Sequence, residues 1–133
     1  MTAMKTKGRA VVLPASVRFA FIAGLWLLIE GVWELFNPLI FGVITSNPLH
    51  GMVHLCLALA AIWSGRSGHA RGFLLFFGAF LLSGSAFWYF SGTKPLIVSL
   101  FNMNHASAYA HAFVGVLSLI VATSSPGPRR PTR

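Results

Sequence analysis

The chain has 133 residues, of which 56% are hydrophobic and only 9% are charged. Soluble domains carry about 25% charged residues, so this composition excludes an ordinary soluble domain and is typical of an integral membrane protein. The net charge of +8 could indicate nucleic-acid binding, but such proteins gather their basic residues on one folded face. Here the basic residues flank apolar segments, so we expect contact with the anionic lipid of a bilayer and no nucleic-acid partner.

Four apolar segments approach the roughly 20 residues that a membrane-spanning helix needs. They cover 17–36, 48–64, 72–90 and 105–123. Because lipid offers no hydrogen-bond partner to a free backbone group, each segment must be helical. We therefore predict an all-α polytopic membrane protein with a four-helix transmembrane domain at 17–123, a basic cytoplasmic arm at 1–16 and a disordered cytoplasmic tail at 124–133.

The basic residues also predict the orientation. They lie in the N-terminal arm, in the middle loop 65–71 and in the tail, whereas the two opposite loops share a single Lys94. Cytoplasmic loops carry an excess of Lys and Arg, so we predict that both termini are cytoplasmic and that the protein lies in the inner (plasma) membrane of the cell. The first apolar run contains two glutamates and lacks a cleavage site, so we interpret it as a retained helix rather than a signal peptide.

The two halves of the chain resemble each other. A Pro-Leu-Ile tripeptide, an asparagine and a histidine each recur after 57 positions, at Pro38 and Pro95, at Asn47 and Asn104, and at His54 and His111. A repeat with an even number of spans is a parallel repeat, related by an axis along the membrane normal. We predict two helical hairpins, 17–64 and 71–123, packed as a bundle. Their apolar outer loops should lie against the headgroups or fold over the end of the bundle.

The repeated Asn-x6-His element reads Asn47 to His54, followed by Leu55, and Asn104 to His111, followed by Ala112. It resembles an uncharacterised bacterial family of small four-helix membrane proteins that is known only as a domain of unknown function. Members of that family more usually have His-Leu at both places, so Ala112 departs from the pattern. The resemblance covers residues 17–123, and it implies four membrane helices but no activity.

Ionisable side chains at the centre of a membrane cost about 2.5–3.5 kcal/mol each, so each needs an explanation. We predict that Asn47 and Asn104 cap their helices. His54 and His111 follow these caps by roughly 10 Å of helix, and Glu30 should lie at the same depth in the first helix. These three residues are the candidate metal ligands.

Other polar residues have simpler interpretations. Glu34 and His50 lie one turn nearer the outer end than Glu30 and His54, and they extend the candidate polar cluster. We nevertheless expect Glu34 to be solvated at the interface and His50 to be hydrated, as we expect for His105 and for the loop residue His69. Cys56 is the only cysteine, and we expect it to be a small buried side chain.

Glu30, His54 and His111 have two interpretations. The first is an interhelical hydrogen-bond network that fixes packing, in which each bond contributes about 0.6 kcal/mol. The second is a functional site: a haem between the two imidazoles, a transition metal held by two histidines and one carboxylate, or a proton path.

The sequence contains no HExxH, CxxCH or G-x-S-x-G motif and no aspartate, so we predict neither an enzyme nor a cofactor. The leading hypothesis is a non-enzymatic membrane component, an accessory subunit or a scaffold, which associates with itself or with a larger membrane complex. The alternative is a small haem-binding, metal-binding or proton-handling membrane protein that uses the Glu/His cluster.

Overall fold

Four long helices form the protein, and the computed structural model describes residues 12–125. These helices are α1 Ala15–Phe36, α2 Pro48–Arg66, α3 Ala70–Tyr89 and, after a short α4 Lys94–Phe101, α5 His105–Ser124. All four long helices are long and apolar enough to cross a membrane. The predicted all-α four-helix membrane bundle is therefore confirmed. The predicted basic arm and tail lie almost wholly outside the described residues.

Helices α1 and α2 form an antiparallel hairpin held together by small residues. A Cβ added to Gly31 of α1 would lie 2.9 Å from the carbonyl oxygen of Gly51 on α2. Further from the connecting loop, a Cβ on Gly24 would lie 3.1 Å from the Cβ of Ala61. Small residues allow this approach, which matters in lipid because apolar tails give helices no hydrophobic reason to associate.

Helices α3 and α5 form the second hairpin in the same way. A Cβ added to Gly78 would lie 2.8 Å from the carbonyl oxygen of Gly115. At the far end of this hairpin, Arg71 Nε donates a hydrogen bond to the carbonyl oxygen of Ala122 at 3.0 Å. That bond satisfies one of the carbonyls that the last turn of a helix leaves without a partner.

The two hairpins meet along a core of leucine, phenylalanine and alanine side chains, which includes Leu27, Leu57, Leu74, Phe77 and Leu81. Many other large apolar side chains point outward along the four long helices, among them Ile22, Leu59, Phe76 and Phe113. An outer surface this apolar suits lipid rather than water.

The loop between α1 and α2 is a small β-hairpin. Strand β1 (Leu39–Ile40) pairs antiparallel with β2 (Ile44–Thr45). At the turn, Phe41 and Gly42 have φ angles of 51° and 75°, the pattern of a type I′ turn. Ile40 is only 4% exposed, so the hairpin folds inward over the end of the bundle.

The equivalent loop between α3 and α5 is helical. Its Pro-Leu-Ile tripeptide begins α4, with Pro95 in the first turn, where proline suits a helix. Asn102 then ends α4 in the left-handed conformation, with φ 51°. Ile97 is 8% exposed, so this isoleucine is buried, like its counterpart Ile40 in the first loop. The sequence left two alternatives for the outer loops, which could lie against the headgroups or fold over the end of the bundle. In the structure, both loops fold over the end of the bundle.

Hydrogen bonds join the two loops crosswise. Asn47 Nδ2 donates to the carbonyl oxygen of Leu100 at 2.8 Å, and Asn104 Nδ2 donates to that of Val43 at 2.7 Å. The same two asparagines cap α2 and α5 through their Oδ1 atoms. Asn102 Nδ2 adds a bond to the carbonyl oxygen of Ser46 at 2.8 Å. We call the β-hairpin and α4, joined by these hydrogen bonds, the loop layer. The end of the bundle beneath this layer is called the loop end.

Candidate functional site

Three histidines meet just beneath the loop layer. His50 and His54 lie one turn apart on α2, with ring centroids 4.5 Å apart. His111 on α5 completes the group, at 5.3 Å from His50 and 6.0 Å from His54 between ring centroids. One potential ligand nitrogen from each ring lies within 4.8 Å of the others. We call these three residues the histidine triad.

Two carboxylates of α1 face His54. Glu34 Oε2 lies 3.0 Å from His54 Nδ1, and Glu30 Oε2 lies 3.9 Å from the same atom. Glu34 is 1% exposed, whereas 15% of the Glu30 side chain is exposed. Glu30 therefore lies towards the edge of the cluster and Glu34 within it.

The Glu34 carboxylate has no hydrogen-bond partner among the described residues. Neither Glu34 oxygen nor His54 Nδ1 is in a hydrogen bond with any residue of 12–125, because their own close contact does not have hydrogen-bond geometry. Buried carboxylates are normally paired, hydrogen-bonded or bound to a metal, since leaving water without compensation is very unfavourable. A cation or a proton near Glu34 would neutralise this buried negative charge.

The loop layer determines which ring nitrogen of His50 carries the proton. His50 Nδ1 lies 3.2 Å from the carbonyl oxygen of Phe101, at the end of α4. A carbonyl oxygen can only accept, so Nδ1 must carry the proton, and in the neutral ring the Nε2 lone pair stays free. That is the tautomer of a histidine that binds a metal through Nε2.

The five residues of the candidate cluster line one cavity of about 70 Å³. Pockets for organic ligands have volumes of about 300–1,000 Å³, so this cavity is far too small for a haem. A water molecule occupies about 30 Å³ of liquid. The cavity therefore has room for an ion and one or two waters.

The structure brings Glu30, Glu34, His50, His54 and His111 together, but two predictions about them are wrong. Glu34 is not solvated, because Ile40 and Ile44 of the β-hairpin enclose the cavity that it lines. His50 is not hydrated, being 4% exposed, because the end of α4 lies over its ring. Both errors arise from the loops, which cover the end of the bundle.

Of the three remaining predictions about side-chain exposure, two agree with the structure and one does not. His69 and His105 are exposed, as expected for hydrated histidines. The prediction for Cys56 is wrong: it is exposed, because it lies on the outward face of α2.

Two groups that are not among the predicted site residues lie beside the cluster. The Phe101 carbonyl is a backbone acceptor whose position depends on the fold of α4, so no sequence signal could reveal it. Ser107 lies at the position equivalent to His50 in the second half, and its hydroxyl donates to the carbonyl oxygen of Thr45 at 2.9 Å. The 57-residue offset identifies Ser107 as the counterpart of His50, but its contact with the loop layer depends on how the first loop folds.

Comparisons with protein-family models, with curated proteins and with solved structures give no match for this chain. The functional proposal therefore depends on the chemistry of the cluster.

Proposed function

We propose that the protein is a multi-pass membrane protein that binds one transition-metal ion in its buried Glu/His cluster. The observation that carries this proposal is the histidine triad, which lies beside Glu34, a buried carboxylate that has no hydrogen-bond partner within residues 12–125. Imidazole nitrogen suits zinc, copper, iron and nickel. A carboxylate next to the ion would balance part of its charge in a medium where an isolated charge is very unfavourable.

The surroundings of the histidines support this role. Metal-binding histidines almost always present their second ring nitrogen to a carboxylate, a backbone carbonyl or water, which fixes the tautomer. His50 presents Nδ1 to the Phe101 carbonyl. We therefore assign Nε2 as the ligand atom of His50.

The distances are compatible with a site that contracts on binding. Zinc–nitrogen bonds are about 2.0–2.1 Å long, so the nitrogens of a tetrahedral site lie roughly 3.4 Å apart. One nitrogen from each ring of the triad, either Nδ1 or Nε2, lies within 4.8 Å of the other two. Modest rotations of the imidazole rings would bring them to bonding distance.

The alternatives receive less support. A haem exceeds the cavity of about 70 Å³. A packing network would satisfy its own polar groups, whereas Glu34 and His54 Nδ1 lack hydrogen bonds among the described residues. A role as a subunit of a larger complex, or as a homo-oligomer, is compatible with metal binding and remains a prediction. We propose no enzymatic activity.

Metal analysis tests this proposal. We expect the protein purified in detergent to bind one metal ion per chain after reconstitution, as measured by elemental mass spectrometry. His111→Ala should reduce the metal content to background because it removes one of three ligands. His105→Ala is the matched control, since it makes the same substitution in the same helix at an exposed position. Equal metal content in the two variants would contradict the proposal.

We also propose that the loop end faces outward, that both termini are cytoplasmic and that the membrane is the inner membrane. Arg18, Arg66 and Arg71 lie at the end opposite the loop layer, and Lys94 lies within that layer, which supports this orientation through the excess of basic residues on the cytoplasmic side. We further propose that the hairpins are two copies of one unit, as the 57-residue offset between their sequences indicates. The crosswise bonds of Asn47 and Asn104 support that proposal.

Cysteine labelling tests the orientation. In a Cys56→Ala background, Lys94→Cys should react with a membrane-impermeant maleimide added to intact cells. Ser67→Cys, at the opposite end of the bundle, should react only after permeabilisation. The reverse pattern would overturn the proposed orientation.

A further inference from the structure

A second cavity lies against the same histidines. It measures about 50 Å³, and its lining includes His50, His54 and His111. The rest of the lining is apolar and includes Phe80, Ile97 and Met103. Glu30 and Glu34 line only the first cavity, so the histidine triad separates a cavity with carboxylates from one without.

The second cavity is a poor place for water or for an ion. A buried water needs two to four polar partners, and apolar cavities stay dry and accept species such as xenon. Apart from the three imidazole rings, the residues that line this cavity are apolar. An anion would find no positive side chain in the lining, and a polar organic ligand would find no room.

We propose that this cavity binds a small neutral diatomic gas molecule, which coordinates the metal ion at the position that the histidine triad leaves open. The inference rests on the proposed metal site. A site with three protein ligands keeps a fourth position free, and the triad borders the apolar cavity directly. Binding forms one metal–ligand bond and transfers no atom or electron to the protein.

Xenon tests the cavity without any metal. Met103 lines the cavity and is 5% exposed, whereas Met52 is 57% exposed on the outer surface. In metal-free protein with ¹³C-labelled methionine methyl groups, xenon pressure should shift the Met103 methyl signal to saturation. The Met52 signal should change only in proportion to the xenon dissolved around the protein. A Met103 response that follows that of Met52 would overturn the inference.

Carbon monoxide tests the open position. Gly84 and Gly72 both belong to α3, and a Cβ added to either would have no neighbour within 4 Å, but only Gly84 lines the cavity. In protein loaded with iron(II), we expect carbon monoxide to give one C–O stretching band in the infrared spectrum. Gly84→Leu should weaken its binding at least about tenfold by filling the cavity, while Gly72→Leu should leave it unchanged.

The outcomes separate the two proposals. The gas site is overturned if the protein binds iron(II) but not carbon monoxide, or if Gly84→Leu binds carbon monoxide as well as the original protein does. Neither result contradicts the metal site. Protein that binds no metal overturns the proposed function and, with it, the coordinated gas, even where xenon enters the cavity.

Discussion

Replacing Gly115 with valine should force α5 away from α3 and destabilise the second hairpin. A Cβ at this position would lie 2.9 Å from Leu82 Cγ and 3.0 Å from the carbonyl oxygen of Gly78. A backbone atom cannot move aside unless the helix moves with it, and valine adds two further methyl groups. Overpacking typically costs 1–3 kcal/mol, and we expect about 3 kcal/mol or more here because the contact is with backbone. Unfolding in a denaturing detergent, followed by circular dichroism, measures this loss.

Gly72→Val is the matched control for that experiment. It makes the same substitution in a helix of the same hairpin, at a position where a Cβ meets nothing within 4 Å. Both variants make the same change in helix propensity, from glycine to valine, so their difference isolates the close approach of α3 and α5. Equal stability of the two variants would mean that the glycine contact does not hold the hairpin together.

Replacing Glu34 with leucine should change metal binding and stability in opposite directions. Loss of a carboxylate that contacts a ligand histidine lowers metal affinity about 10–100-fold. Without metal, the same change removes a buried carboxylate that has no hydrogen bond among the described residues. A buried polar group without a hydrogen bond costs about 1–3 kcal/mol, so we expect the metal-free protein to gain about that much when the group is removed. Metal titration and detergent unfolding of the metal-free protein measure the two effects.

A purely structural cluster would respond differently. If Glu34 and His54 were an ion pair that holds α1 against α2, removal of one partner would destabilise the protein by about 3–5 kcal/mol. Glu30→Leu serves as the comparison, because Glu30 lies 3.9 Å from His54 Nδ1 and is partly exposed. It should change both measurements less than Glu34→Leu does. A destabilised Glu34→Leu protein with unchanged metal affinity would favour the structural interpretation.

The sequence predicted the helices well because lipid leaves the backbone little choice. A long apolar segment must satisfy its own hydrogen bonds, so hydropathy alone located α1, α2, α3 and α5, with ends that differ from the structure by at most two residues. The candidate cluster could be proposed for a similar reason. Glutamate and histidine are rare in apolar segments, so their presence marks positions that need a partner.

The depth of the cluster could not be predicted, because it depends on the loops. Glu34 and His50 were assigned to water by counting turns from the helix ends, which takes no account of chain folded over those ends. The loops themselves differ although both contain Pro-Leu-Ile. Gly42 permits a turn with positive φ angles in the first loop, whereas Pro95 begins a helix in the second. The conformation of each loop therefore depends on its own residues and could not be predicted from the repeat alone.

The crosswise hydrogen bonds of the loop layer have a consequence for biosynthesis. The first hairpin emerges from the ribosome before the second, and at that stage the carbonyl groups of Val43 and Ser46 still lack the side-chain donors Asn104 and Asn102. His111 is also still missing from the cluster. The loop layer and the proposed metal site therefore become complete in the same step, when the second hairpin docks. A chain that stops after α2 would have an open end and two of the three histidines.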